Sequence, residues 1–352
     1  MQNTESEIKN RINRQNELCY TDTVCEFPKR MVLELTNMCN DSCLFCAHSK
    51  HTGKKGIIKP ELAERILSEA YSLGTRDVCF HMRGEPLLDR NLERYISFAK
   101  NLGYEYTYFT TNGALLTKER AERIVNSGID SIKFSVNASN SNDYLLMHGK
   151  DEFDKVMENI IYLNTLREEN RSKFAIYISY VVTRYTESEK DNFERKYKKY
   201  VDDILFYDCI NQGGSMTNEI AKYLEVDSDC DISAQTISTM GQNICTMIFD
   251  RFHVTYEGYL TMCCVDFQNY LVIADLNKES LKDAWNNRYA CKLRAKHLQH
   301  DLKGTMCHNC WNNCYESVKP LRKEYATEVI MDKWDKSEEI AKRVCEWNTN
   351  FK

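Results

Sequence analysis

The chain has 352 residues, a length that suits about two domains. Its 47 basic and 52 acidic residues give a net charge of −5, which excludes a broad basic field for duplex nucleic acid or anionic lipid. Hydrophobic residues at 42% and aromatics at 11% suffice for a sizeable core, so wholesale disorder is excluded.

Cysteine is the outlier, with 16 residues. The opening MQNTESEIKN is polar and lacks the apolar stretch of an export signal. The longest apolar run, near 174–182, is far too short to span a bilayer. The expectation is a cytoplasmic protein in a reducing compartment. There, cysteines serve as metal ligands or catalysts more often than as disulfides.

Residues 1–28 are polar and form an N-terminal extension. Strand-like runs follow at 30–36, 77–82, 106–111, 131–136, 174–182 and 204–210. Helical spacing occupies 60–73, 92–102, 118–127, 153–168 and 188–200, and Gly74, Gly103 and Gly128 are placed to end three of these helices. Six strands alternating with five helices predict an α/β fold with a parallel sheet, an open partial barrel over 29–240. The site of such a sheet lies at the strand C-termini.

The texture changes near 242, and eight of the 16 cysteines lie from Cys245 onward. A small Cys-rich domain is predicted over 241–320. It has a hairpin at 253–263 turning at Glu257 and Gly258, a short helix at 280–286 and a knuckle at 305–314. A helical tail is predicted over 321–352.

Cys39, Cys43 and Cys46 form C-x3-C-x2-C directly after the first strand. Three thiolates in one short loop can hold three irons of a [4Fe–4S] cluster and leave the fourth open. A zinc knuckle completed by His48 or His51 is the competing reading. The motif resembles that of the radical S-adenosylmethionine (radical SAM) superfamily, whose partial (β/α)6 barrel places it after strand one. Phe45 matches the family's aromatic near adenine. Arg83-Gly84-Glu85-Pro86 resembles its GGEP motif, which receives the SAM amino group, although Arg83 stands where the family has glycine. Thr110-Thr111-Asn112-Gly113 is similar to the family's TNG. Ser135 and Asn137 end the fourth strand, where the family contacts the ribose or carboxylate of SAM.

Cys245, Gly258 and Cys263 give C-x12-G-x4-C, followed by Cys307, Cys310 and Cys314. This set resembles the SPASM/Twitch extension of radical SAM enzymes. The resemblance implies one auxiliary [4Fe–4S] cluster on Cys245, Cys263, Cys307 and Cys310. Cys264, Cys291 and Cys314 are substitutes or bystanders. A zinc ribbon on the same thiolates is the alternative.

The resemblance implies reductive cleavage of SAM and hydrogen-atom abstraction by a 5′-deoxyadenosyl radical. An electron donor such as flavodoxin or ferredoxin would feed the cluster. The Twitch form implies dehydrogenation of a sugar or cyclitol, with the auxiliary cluster as electron acceptor. Epimerisation, with Cys209 as hydrogen donor and Cys79 as a weaker candidate, is an alternative, as is modification of a peptide substrate. A zinc-stabilised interaction module is the reading from another class. His81, beside Arg83, is placed to touch substrate. The basic loop with Lys54, Lys55 and Lys59 could meet an anionic group, but a solvated loop explains it as well.

Overall fold

The computed structural model describes residues 20–224, 244–329 and 335–350. The first part of the N-terminal extension and the predicted boundary near 240 lie outside the described residues.

Alternation builds the strands. In β4 (Ser131–Ser135), Ile132 and Phe134 are buried in the core while Lys133 and Ser135 stay half-buried on the opposite face. The other parallel strands are β1 (Arg30–Leu33), β2 (Asp77–Cys79), β3 (Tyr106–Thr111), β5 (Ala175–Val182) and β6 (Asp203–Asp208). Each pairs in parallel with its sequence neighbour. Parallel neighbours require crossovers, and helices supply them. Helix α1 (Pro60–Ser72) starts on a proline and buries Leu62, Ala63, Ile66, Leu67 and Ala70. Helix α2 (Leu92–Leu102) buries Leu92, Tyr95, Ile96 and Ala99, one stripe at helical spacing. Helix α3 (Lys118–Asn126) precedes β4, and α4 (Ser141–His148) and α5 (Phe153–Asn170) follow it. The predicted helix at 188–200 is an α-helix, α6 (Lys190–Tyr197), flanked by single 3-10 turns.

Helix α4 was not predicted. Its sequence SNDYLLMH buries Asp143, Tyr144, Leu146, Met147 and His148 and leaves Leu145 half-buried, so no polar stripe at helical spacing marks it. Asn140 caps its start and Gly149 its end.

The second half continues the same sheet. Strand β7 (Arg251–Val254) pairs in parallel with β1, and β8 (Tyr259–Thr261) and β9 (Val272–Asp275) add antiparallel. The order is β6-β5-β4-β3-β2-β1-β7-β8-β9. Gly258 takes φ +90 at the turn between β7 and β8, the position the sequence marked. Then come α7 (Leu281–Trp285), α8 (Arg288–Leu298) and α9 (Met306–Trp311). The terminal helix α10 is Ser337–Asn350, later than the predicted start at 321. Before it, Leu321 N and Thr327 N donate to Tyr270 O and Gln268 O, which holds this segment against the loop after β8 instead of coiling it.

Candidate active site

The first cysteine loop leaves β1 at the C-terminal edge of the sheet and is clamped from four sides. Ser42 N and Leu44 N donate to His148 O and Met147 O at the end of α4. Gln212, after β6, donates to Phe45 O at 2.7 Å and accepts from Ala47 N at 2.9 Å. Lys336 Nζ reaches Cys43 O and Cys46 O at 3.3 and 3.4 Å. Glu85 N donates to Met38 O at 2.7 Å. That last bond requires Gly84, because a Cβ there would lie 2.3 Å from Thr36 O and 2.4 Å from Met38 O. Gly84→Ala is expected to force the two loops apart, lowering stability by about 1–3 kcal/mol. A urea midpoint checks this.

Cys39, Cys43 and Cys46 converge. Burial pushes the Cys39 thiol up to about 12, and Cys43 and Cys46 upward as well, and neighbouring thiols of the set add to the shifts of Cys39 and Cys43. Asp41 N and His48 N point at the Cys39 and Cys46 sulfurs, at 3.5 and 3.4 Å. Buried thiols crowded this way ionise only with a cation among them, and backbone N–H groups then steady the sulfurs. The donor set therefore fits an iron–sulfur cluster.

His48 and His51 do not complete this set. His48 Nε2 bonds Asn37 O at 2.8 Å. His51 bridges Asn37 Nδ2 and Phe267 O, and burial holds it down to about 4. Both are struts between loops.

Beside the cysteine loop, Glu85 is buried and accepts from Thr111 Oγ1 at 2.7 Å, Asn112 N at 2.8 Å and Leu87 N at 3.0 Å. Burial nonetheless pushes its carboxyl up to about 7. Thr111 thus holds Glu85, and Asn112 reaches Asn40 Oδ1 at 2.9 Å through its side chain. Ser135 lies beside Ser179, Oγ to Oγ 3.3 Å. Asn137 takes φ +55, accepts from Val181 N at 2.8 Å and turns its amide nitrogen to His148. The Phe45 ring meets His148 edge-on at 6.3 Å between centroids.

Arg83 does not face this cleft. It forms a two-pronged, fully buried ion pair with Glu34 at 2.7 and 2.6 Å. Its other nitrogen reaches Asn269 Oδ1 at 3.0 Å and Asp266 O at 3.4 Å. The side chain replacing the family's glycine therefore ties β1 to the loop after β8.

The second cysteine set surrounds that loop. Cys245 precedes a one-turn helix at Met247–Asp250, Cys263 follows β8, and Cys307 and Cys310 lie one turn apart on α9. Burial pushes Cys245 up to about 12, and Cys310 adds to the shift. Burial raises Cys307 too, with Cys245 and Cys310 contributing. Hydrogen bonding to Cys264 raises Cys263 and holds Cys264 below the usual thiol range, with His253 assisting. These are again converging thiols, a donor set that fits a second cluster. Cys291 is apart, donating to Asn286 O at 3.4 Å on α8. Cys314 lies at Asn309 and close to His308 and Glu316.

Cys209 is buried in an apolar cluster with Leu44, Ala47 and Met216. The buried thiol of Cys79 points to His81 O at 3.9 Å. His81 Nδ1 is buried without a hydrogen-bond partner, and burial, reinforced by nearby Lys133, holds the ring's affinity for a proton down to about 4.

A radical SAM superfamily model matches residues 33–194, and a SPASM iron–sulfur cluster-binding domain model matches residues 245–311. The chain carries a radical SAM domain. It also carries a SPASM domain; the radical SAM domain brings a [4Fe–4S] cluster that works with SAM, and the SPASM domain brings auxiliary iron–sulfur binding. This radical SAM enzyme is 29% identical over 181 residues to an uncharacterized protein of Methanocaldococcus jannaschii, covering 51% of this chain and 57% of that one. It is 34% identical over 128 residues to a probable GTP 3′,8-cyclase of Saccharolobus solfataricus, covering 36% and 41%. The matches thus span about half the length of these relatives.

Among solved structures, BtrN in complex with AdoMet and 2-DOIA superposes with a TM-score of 0.53 at 18% identity, covering 87% of this chain and all of that one. Streptococcus suis SuiB bound to precursor peptide SuiA gives 0.59 at 17%, covering 86% and 72%. AnSMEcpe with bound AdoMet gives 0.57 at 15%, covering 91% and 99%. These likenesses establish the fold. Among the described residues no helix is long and apolar enough to cross a membrane.

The sequence reading missed Gln212, Lys336 and His148 as supports of the cysteine loop. All three are far from it in the chain, and none belongs to a motif.

Proposed function

We propose that this enzyme dehydrogenates a carbinol carbon of a sugar- or cyclitol-type small molecule. Cys39, Cys43 and Cys46 hold the [4Fe–4S] cluster that works with SAM, and Cys245, Cys263, Cys307 and Cys310 hold one auxiliary [4Fe–4S] cluster. The carrying observation is the two converging cysteine sets, one in the loop after β1 and the other around the loop after β8, where the Glu34–Arg83–Asn269 strut ties the two regions together. One set generates a substrate radical and the other can take its electron. The full coverage of BtrN, a protein solved with 2-DOIA, supports the small-molecule class.

The loaded clusters supply one-electron chemistry, and the chain supplies positions. Glu85, fixed by three donors, receives the SAM ammonium beside the cysteine loop. Ser135 and Asn137 meet the ribose or carboxylate, and Phe45 lies near adenine. His81, two residues past β2, keeps a buried Nδ1 without a hydrogen-bond partner among the described residues, placed to accept a hydrogen bond from the carbinol O–H. A flavodoxin or ferredoxin would supply the electron.

After anaerobic reconstitution about eight irons and eight sulfides per chain are expected. Cys307→Ala with Cys310→Ala should leave about four irons and retain SAM cleavage to 5′-deoxyadenosine. Cys39→Ala with Cys43→Ala should also leave about four and abolish it. With a panel of amino-cyclitols, one ketone formed per 5′-deoxyadenosine supports the reading. Solvent deuterium found at an inverted carbon of the substrate, with no ketone formed, would replace it with epimerisation, for which Cys209 is the hydrogen-donor candidate. Zinc without iron would end the radical mechanism.

A further inference from the structure

We propose that His148 is a positioning residue for the cluster on Cys39, Cys43 and Cys46, donating an N–H hydrogen bond to the Cys43 sulfur and raising the cluster's reduction potential. The inference rests on the proposed role of Cys43 as an iron ligand.

The geometry is specific. His148 is the last residue of α4 and is 1% exposed. Its Nδ1 lies 3.0 Å from Asp41 Oδ2 and 3.5 Å from Cys43 Sγ. A carboxylate can only accept, so Nδ1 carries the hydrogen and shares it between Asp41 and the sulfur. Nε2 faces Val136 O at 2.9 Å and the Asn137 amide nitrogen at 3.2 Å. Because Asn137 Oδ1 already accepts from Val181 N, that amide orientation is set, and Nε2 has a partner with or without a hydrogen of its own.

The ring cannot turn away. Tyr144 stacks on it at 4.1 Å between centroids with 5° between planes, and Phe45 closes the edge. The His148 backbone carbonyl holds Ser42 N at 3.1 Å, which fixes the ring and the cysteine loop to each other. Hydrogen bonds to cluster sulfurs stabilise the more negative, reduced cluster, so they raise the potential. The same ring touches Asn137, so it joins the proposed SAM contact to one cluster ligand. None of this is visible in the sequence, where His148 lies 105 positions from Cys43.

The test is an EPR-monitored redox titration of the reconstituted full chain, with and without SAM. The signal that SAM shifts identifies the cluster in question. His148→Phe keeps a ring against Tyr144 and removes the donor, whereas His148→Asn places an amide N–H where Nδ1 was. His148→Phe is expected to lower the ratio of reduced to oxidised cluster at fixed poise by about tenfold, a shift of about 59 mV for one electron. His148→Asn is expected to recover most of it. An unchanged potential in His148→Phe, with iron content and SAM-shifted signal intact, overturns the proposal. Equal losses of iron in both variants also overturn it, because they mark a purely structural residue. A wild-type chain that shows no SAM-shifted signal fails the cluster assignment itself and removes the inference with it.

Discussion

Arg83→Met is expected to destabilise the chain by about 3–5 kcal/mol, the usual cost of leaving one partner of a buried ion pair alone. Glu34, 0% exposed, would be left with the backbone N–H groups of Arg83 and Tyr256 as its donors among the described residues. The expected observation is a large drop in urea midpoint with an unchanged m-value. Adding Glu34→Gln removes the stranded charge and keeps one amide oxygen as acceptor for one of the two N–H groups, so the double variant should regain part of the loss. Equal destabilisation in the single and double variants would mean that packing, not charge, dominates. Because Arg83 also holds Asn269 and Asp266, the single variant is further expected to lower the iron content of the auxiliary set.

The affinity for SAM is expected to rise about tenfold between pH 6 and pH 8, then level off. Burial raises the Glu85 carboxyl from 4.5 to about 7, so the empty site is mostly protonated at pH 6. The SAM ammonium needs the carboxylate, and each pH unit below 7 then costs about a factor of ten. Stability runs the opposite way. The contribution of the neutral Glu85 is complete below the ordinary glutamate range and is lost as pH rises through about 7. Glu85→Gln should bind SAM about 10- to 100-fold more weakly, the value of a charge-assisted hydrogen bond, with a flat pH profile. Equilibrium binding of SAM to the reconstituted chain at several pH values checks both. A slope retained in Glu85→Gln would assign the titration to another group.

Much of the site was legible before any coordinates. C-x3-C-x2-C is local, because a loop after a strand must place three thiols together at that spacing. The βα alternation was legible for a similar reason, since a half-buried strand and an amphipathic helix each write their period into adjacent residues. Gly258 was found because a tight turn demands a positive φ. Arg83 was read as a departure from the family's pattern, and the sequence held no hint of its partner, since Glu34 lies 49 positions earlier.

The amino-acid order by itself determined the parallel sheet and the first cysteine loop, because each rests on neighbours in the chain, whereas the candidate ligands of the second set came from the family resemblance. Only the tertiary structure decided that β7 adds to β1 in parallel, that His48 and His51 are struts, and that His148, Gln212 and Lys336 hold the cysteine loop. These depend on contacts between residues up to 293 positions apart. Such contacts leave no periodicity, because the backbone path brings them together and no local preference of the residues does.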